Sequence, residues 1–322
     1  MNANLNATGT LPSGQRVYRR ILLLRPENTQ ELIVRMRVLA RSLGWRQFAS
    51  WGRLDSNQRP TDYEGAPRGP RADPTLLQRK TKSGGTGSYA AVMTKRVVMS
   101  WSGGKDSALA LAELLDDPTV QVTALLTTVT ETYERVSMHG VRIELLGRQA
   151  AAINLPLIQV WIPPACVNET YEARMAAAYE HPLVVSADAV ASGDLFLEDV
   201  RAYREERIRV AGKEPLFPVW GRPTDHLARS CIDRGFEAVL TCVDPEQLDS
   251  SFCGRPFDAD FLSSLPDHVD PCGENGEFHT FVHRAPFFSK PIKVVRGEVV
   301  ERDGFFFAEF VPEPSRQLSS VC

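Results

Sequence analysis

Between residues 96 and 243 short β-rich runs alternate with segments of helical spacing, and this alternation constrains the fold more than any other feature of the chain. Residues 97–101, 120–129, 157–162, 187–193 and 238–243 read as strands. Residues 106–115, 141–153, 169–179, 198–210 and 224–234 read as helices. The run 120–129 is β-branched and nearly continuously apolar, as expected of a strand covered on both faces. The rhythm predicts an α/β fold: a mostly parallel sheet with helices on both faces. Such sheets bind ligands beyond the carboxyl ends of their strands, where strand order reverses. Past residue 243 the rhythm breaks. Residues 278–282, 292–295 and 304–311 read as short strands bounded by Asn-Gly, Pro and Gly turn signals. A smaller α+β C-terminal lobe is therefore expected over residues 215–322, sharing the last strands of the first sheet.

Charge divides the chain differently. Residues 1–92 carry 15 Lys+Arg against 6 Asp+Glu, and residues 93–322 carry 22 against 34, so a head of +9 precedes a body of −12. A basic head is compatible with a nucleic-acid arm. The head, however, has little patterned apolar surface to offset the entropy of ordering it, and its SGGTGS run at residues 83–88 reads as flexible linker. Its GRLDSNQRPTDYEG stretch resembles the peptide produced when a tRNA gene is translated by mistake. Residues 1–92 are expected to be a disordered extension or a mis-annotated leader, with Met93 as the working start. The six cysteines form no C-x-x-C pair, which argues against a zinc ribbon or a thioredoxin-type centre and fits a reducing compartment. No apolar run approaches the ~18–20 residues of a membrane span. A cytoplasmic protein is expected.

The segment SWSGGKDS, from Ser100 to Ser107, lies between the first strand and the first helix. Gly103 and Gly104 leave room for backbone amides to approach an anion, and the following helix start adds free N–H groups and a favourable dipole. Lys105 adds positive charge, while Ser100, Ser102 and Ser107 supply hydroxyls. Asp106 would repel a bare phosphate, so it points either to a nearby Mg²⁺ or to a cap. The segment is neither a Walker A loop nor a G-x-G-x-x-G turn.

SGGKDS resembles the PP-loop of the ATP pyrophosphatase family, adenylating enzymes of the HUP-type, Rossmann-like α/β fold. Three further segments resemble the diphthine–ammonia ligase-like branch of that family. They are Ser137–Met138–His139–Gly140, the run GDLFLEDVRAYREERI from Gly193 with the following PLFPVW, and DPCGENGEFHT at residues 270–280. The chain departs where Val219 stands in place of the family's usual Leu. The resemblance implies that residues 93–214 form a PP-loop nucleotide-binding domain and residues 215–322 a substrate and ammonia lobe. It implies ATP as cosubstrate with Mg²⁺, the metal at Asp106. Ser100, Ser102, Gly103, Gly104, Lys105, Asp106 and Ser107 would hold the phosphates. His139, Gly140, Gly193, Asp194, Arg201, Arg204, Glu205 and Asn275 would line the substrate site. The family's named acceptor is diphthine on an elongation factor; for this chain the resemblance implies a carboxylate-bearing acceptor, protein diphthine or a small molecule.

GENGEFHT also carries information of its own. A tight Asn-Gly turn does not account for Glu274, Glu277 and His279 within six residues. Glu277 and His279 are two apart, so a strand would present both on one face. Crowded carboxylates raise one another's pKa unless a cation sits among them. These three, holding ammonium and removing its proton, are with the phosphate-binding Lys105 the expected catalytic residues. Blander readings stay open elsewhere: His139 as a histidine satisfied before a helix, and Arg201, Arg204 and Glu205 as exposed helix pairs. The leading expectation is an amidoligase that adenylates a carboxylate and amidates it with ammonia. The alternatives are a non-catalytic adenine-nucleotide module and a PP-loop tRNA-modifying enzyme. The acidic body and the absence of C-x-x-C weigh against the latter, so nucleic acid is not an expected partner. Assembly into a homo-oligomer stays open.

Overall fold

The structure is a computed structural model that describes residues 94–313 except 132, 133, 137, 138, 165 and 303. The expectations for residues 1–92, Met93, Ser137, Met138 and Cys322 lie outside the described residues. The first sheet contains β1 (Lys95–Ser100), β2 (Val120–Thr130), β3 (Arg135–Val136), β4 (Leu157–Ile162), β5 (Ala189–Ala191) and β6 (Glu214–Leu216). β1 pairs in parallel with β2 on one side and β5 on the other; β4 and β6 extend these in parallel, and only the short β3 is antiparallel. The central strand is β1 because its residues Val97, Val98 and Met99 are wholly buried and can be covered on both faces.

Helices cover both faces. On one side Val97, Met99 and Leu125 pack with α1 (Lys105–Asp116) and α2 (Ile143–Ile153). On the other, Val98, Ala124, Leu126, Ile158 and Val160 meet α3 (Asn168–Tyr179) and α4 (Pro182–Val185). α5 (Glu198–Val210) precedes β6, and α6 (Thr224–Asp233) leads out of the sheet. No helix among the described residues is long and apolar enough to cross a membrane.

The second sheet is antiparallel, in the order β8 (Phe278–Arg284), β7 (Glu237–Val243), β10 (Phe305–Pro312), β9 (Val294–Arg302). A 3₁₀ turn, Ser250–Phe252, and the short α7, Ala259–Ser264, lie between β7 and β8. β7 corrects the expectation that residues 238–243 continue the parallel sheet. It carries the same buried, β-rich composition, but its partners β8 and β10 reach it through antiparallel registers. Composition marks a buried strand without saying which sheet claims it. The last strand of the parallel sheet is instead β6, whose Pro215 hides it from a propensity reading.

Candidate functional site

The site forms where the outer edge of β8 meets the turn after β1. Val282 N–H donates to Gly103 O (2.9 Å), and Lys105 N–H donates to Thr280 Oγ1 (3.1 Å). Gln149 of α2 ties the two lobes together. Its Nε2 donates to Gly103 O (3.0 Å) and Val282 O (2.7 Å), and its Oε1 accepts from Trp101 Nε1 (2.8 Å). Gly103 sits at φ +81°, and a Cβ there would lie 2.8 Å from Gln149 Oε1. The SGGKDS turn is thus pre-shaped from outside. Within it Gly104 N–H donates to Ser102 Oγ, Ser102 and Ser107 share a hydroxyl bond (3.1 Å), and Ser107 Oγ donates to Gly104 O (2.9 Å). Ser100 closes β1 immediately before it.

Lys105 departs from the expected role. Its side chain is 2% exposed and turns into the second lobe, where Nζ donates to Cys272 O and to Asp106 Oδ2 (2.9 Å) and lies over the Phe257 and Phe278 rings. Burial, the largest single influence, would lower the ammonium's pKa, but Asp106 together with Cys272 and Cys231 holds the value above the ordinary one. The charge reaches the turn through Asp106 rather than by direct projection into its mouth. Asp106 is 27% exposed. Burial raises its carboxyl and Lys105 pulls it back. With Oδ2 taken by Lys105, Oδ1 is buried without a hydrogen-bond partner. An unpaired carboxylate oxygen of this kind fits Mg²⁺. No group of three or more His, Cys, Asp or Glu among the described residues could hold a metal alone, so phosphates and water would complete its shell.

Gly193 follows β5 and abuts the first turn of α1; a Cβ there would lie 2.8 Å from the Asp106 carbonyl and Ser107 N. This close approach sets Asp194 beside the turn, where Arg204 Nε bonds it at 3.1 Å. Arg201 bonds Glu205 (2.7 Å) and stacks on Phe217 and Trp220, with centroids 4.9 and 4.6 Å away. The PLFPVW run is therefore a rest for Arg201.

The structure separates the three crowded residues of GENGEFHT. Glu274 crosses to the first lobe and accepts Leu195 N–H (2.8 Å). Glu277 precedes β8 and turns inward, accepting Asp270 N–H (3.0 Å) and Asn275 Nδ2 (2.9 Å). It frames the loop that carries Glu274. His279 stacks on His139 with ring centroids 4.5 Å apart. Among the described residues no hydrogen bond or ion pair joins the three. The same-face inference misses because Glu277 lies before the strand and the tight turn needs its carboxylate as an internal acceptor.

Burial lowers both imidazoles, His279 to about 4 and His139 well below its ordinary range, with Lys105 adding to each. His139 is held from behind. Arg135 donates to Gly140 O (2.7 Å) and bidentately to Glu309 (2.6 and 2.8 Å), and Gly140, at φ +66°, admits the Phe307 ring where a Cβ would clash. Trp101, Gln149, Thr280, Arg135 and Glu309 are thus site-building residues that motif reading missed. Gln149 left one signal: it is a polar residue in the apolar stripe of Leu145, Leu146 and Ala150.

Burial, followed by Asp106, raises Glu274 from 4.5 to about 7, against the Leu195 N–H bond and Lys105. The folded state then holds a proton that the unfolded chain releases. Glu274's contribution to stability is complete below about pH 4.5 and lost as pH rises through about 7, a change of about 3 kcal/mol. Glu274→Gln keeps an acceptor for Leu195 and removes this dependence. Urea denaturation should show the variant gaining on the parent between about pH 5 and about pH 8; parallel profiles would contradict the assignment.

The diphthamide synthase N-terminal domain matches residues 94–214 and the diphthamide synthase C-terminal domain matches residues 223–309. Diphthine–ammonia ligases of Bos taurus, Rattus norvegicus and Homo sapiens are 31%, 30% and 31% identical over 118, 120 and 118 residues. Each alignment covers 35% of this chain and 44% of the relative, so the chain spans less than half the length of the curated relatives it matches. A solved chain described as a predicted subunit of tRNA methyltransferase from Methanocaldococcus jannaschii is 14% identical, with a TM-score of 0.29 over 58% of this chain and 96% of that one; that likeness carries no argument below. The two domain models together span well over half of the chain and include the SGGKDS turn, Gln149, Asp194, Arg204 and the loop at residues 270–280, so the chain belongs to the diphthamide synthase family.

Proposed function

We propose that the chain is an ATP-dependent amidoligase. In the first half-reaction an acceptor carboxylate attacks the α-phosphorus of ATP, giving an acyl-adenylate and pyrophosphate. In the second, ammonia attacks the acyl carbon, AMP leaves, and one proton is released. The observation that carries this reading is the SGGKDS turn, set between β1 and α1 and braced by β8 and Gln149. A turn already shaped before the nucleotide arrives stabilises a leaving diphosphate without reorganisation. Mg²⁺, when bound with Asp106 Oδ1 among its ligands, neutralises phosphate charge.

The chain's own groups divide the work. The amides and hydroxyls of the turn bind the diphosphate, and Lys105 fixes Asp106 and the loop at residues 270–274. Asp106 and Asp194 act electrostatically on Glu274, and the three carboxyls give ammonium an anionic berth. Glu274, titrating near neutrality, takes the proton that must leave ammonium before attack. His139 and His279, stacked on each other and uncharged at neutral pH, do not compete for anions. ATP and ammonia are the cosubstrates, and the cytoplasm, where both are at hand, is the expected setting.

The reading is tested by supplying ATP, ammonium chloride and a panel of carboxylates. Pyrophosphate and AMP should form in equal amounts with an amide product. Formation of ADP would exclude adenylation.

A further inference from the structure

The antiparallel sheet is covered at one edge and open at the other. β8 lies against the SGGKDS turn, where Val282 N–H meets Gly103 O. β9, the opposite edge, has β10 as its one strand partner among the described residues. Seven of its nine residues are exposed, with Val295 at 45% and Val299 at 38%. A β-branched edge of this kind is a template for another strand unless the chain blunts it. The first half is blunted. There the register with β10 slips between Arg296 and Val299, and the Arg296 guanidinium turns back onto Gly254 and donates to Cys253 O (3.0 Å). From Val299 to Arg302 the register is regular, and Arg302 pairs with Phe305 across a two-residue connection. The closing pair of such a hairpin exchanges both hydrogen bonds, so alternation turns the N–H and C=O groups of Val299 and Glu301 outward.

Charge on this stretch is unbalanced within one chain. Arg302 shares the single carboxylate of Glu309 with Arg135 and Arg142 (3.3, 2.6 and 3.3 Å), three guanidinium groups on one anion. Glu298 and Glu301 have no hydrogen bond or ion pair among the described residues. Glu298 shares a face with Arg302 but lies four residues back, about 13 Å along the strand, too far to pair within the chain. We propose that β9 pairs antiparallel with β9 of a second copy, centred on Val300. Glu298 of each copy then faces Arg302 of the other and supplies the carboxylate that the arginine cluster lacks. Val300 faces its twin, and the two exposed Val299 side chains meet diagonally across the dyad. Charge opposes the neighbouring registers. Centring on Val299 brings Arg296 against Arg302, and centring on Glu301 sets two carboxylates together. A half-step opposes Glu298 to Glu301 and turns one sheet over. A foreign strand would have to bring its own matching charges, whereas β9 carries both halves of the match. Because Arg135 also donates to Gly140 O (2.7 Å), the interface stands behind the hairpin that presents His139. The pairing does not depend on the ligase reading.

A pairing this short buries less than the ~800 Å² per partner of a standard interface, so a dimer of micromolar strength is expected. Sedimentation velocity of the full chain from about 1 to about 200 µM should show a monomer–dimer equilibrium. Glu298→Lys sets like charges opposite each other twice and should raise the dissociation constant about tenfold or more. Glu298→Lys/Arg302→Glu restores opposite charges across the dyad and should return the constant to within a few-fold of the parent. Val300→Cys should form an intermolecular disulfide in oxidised glutathione, whereas Val295→Cys, on the blunted side of the slip, should not. Three results would each overturn the proposal: a chain that stays monomeric throughout this range, a dimer that ignores Glu298→Lys or is not rescued by the double exchange, and crosslinking of Val295→Cys in preference to Val300→Cys.

Discussion

Gln149→Leu is expected to lower the melting temperature and weaken nucleotide binding together. The side chain is fully buried, and its amide orientation is fixed by one donor and two carbonyls. Leucine fills the space but orphans Trp101 Nε1 and Val282 O; Gly103 O keeps the Val282 N–H. Two buried unsatisfied groups cost about 3 kcal/mol, or about 6–12 °C for a domain of this size. The same loss frees the Gly103 turn from β8, so the nucleotide must order it on binding, and affinity should fall about tenfold or more in protein that is still folded. Thermal melting and calorimetric titration with an ATP analogue read the two effects. A variant that melts lower but binds normally would show that the clamp serves stability alone.

Lys105→Met should be equally severe, for an electrostatic reason. Methionine can pack between Phe257 and Phe278 but leaves the Asp106 carboxylate without its counter-ion. Breaking a buried pair from one side costs about 3–5 kcal/mol, and the partial exposure of Asp106 places this case near the low end. The cost is greatest at neutral pH and shrinks in acid. Burial already holds the Asp106 carboxyl above its ordinary value, and loss of Lys105 raises it further, so falling pH restores neutrality by protonation. Lys105→Met/Asp106→Asn should therefore recover most of the lost stability. In EDTA it should also bind nucleotide nearly as the parent does, because Nζ is engaged by the protein rather than aimed into the turn. Loss of nucleotide binding in a stable double variant would mean that Lys105 swings onto the phosphates.

Local signals carried the sequence reading where a feature was local. Glycines between a strand and a helix, followed by Lys-Asp-Ser, announce the tight turn between β1 and α1, and the alternation up to residue 234 announces the parallel sheet. What stayed illegible was whatever depends on pairing across the chain. β7 looks like one more parallel strand, and only its antiparallel partners from the C-terminal region reassign it. Lys105 reads as a phosphate ligand because nothing nearby shows that Cys272, 167 residues on, offers a carbonyl. Glu274, Glu277 and His279 look like one cluster, yet each finds a different distant or turn-internal partner: Leu195, Asp270 and His139. The Arg135–Glu309 pair, 174 residues apart, left no motif at all.

The central claim is that the main-chain amides of the Ser102–Ser107 turn other than those of Gly104 and Lys105, which the protein already engages, grip the departing diphosphate of ATP. The most direct measurement is a crystal structure of the full chain with α,β-methylene-ATP and Mg²⁺. The account predicts the β- and γ-phosphates within hydrogen-bond distance of those amides, with Gln149 still bonded to Gly103 and Val282. A nucleotide bound elsewhere, or phosphates turned away from this loop, would contradict it.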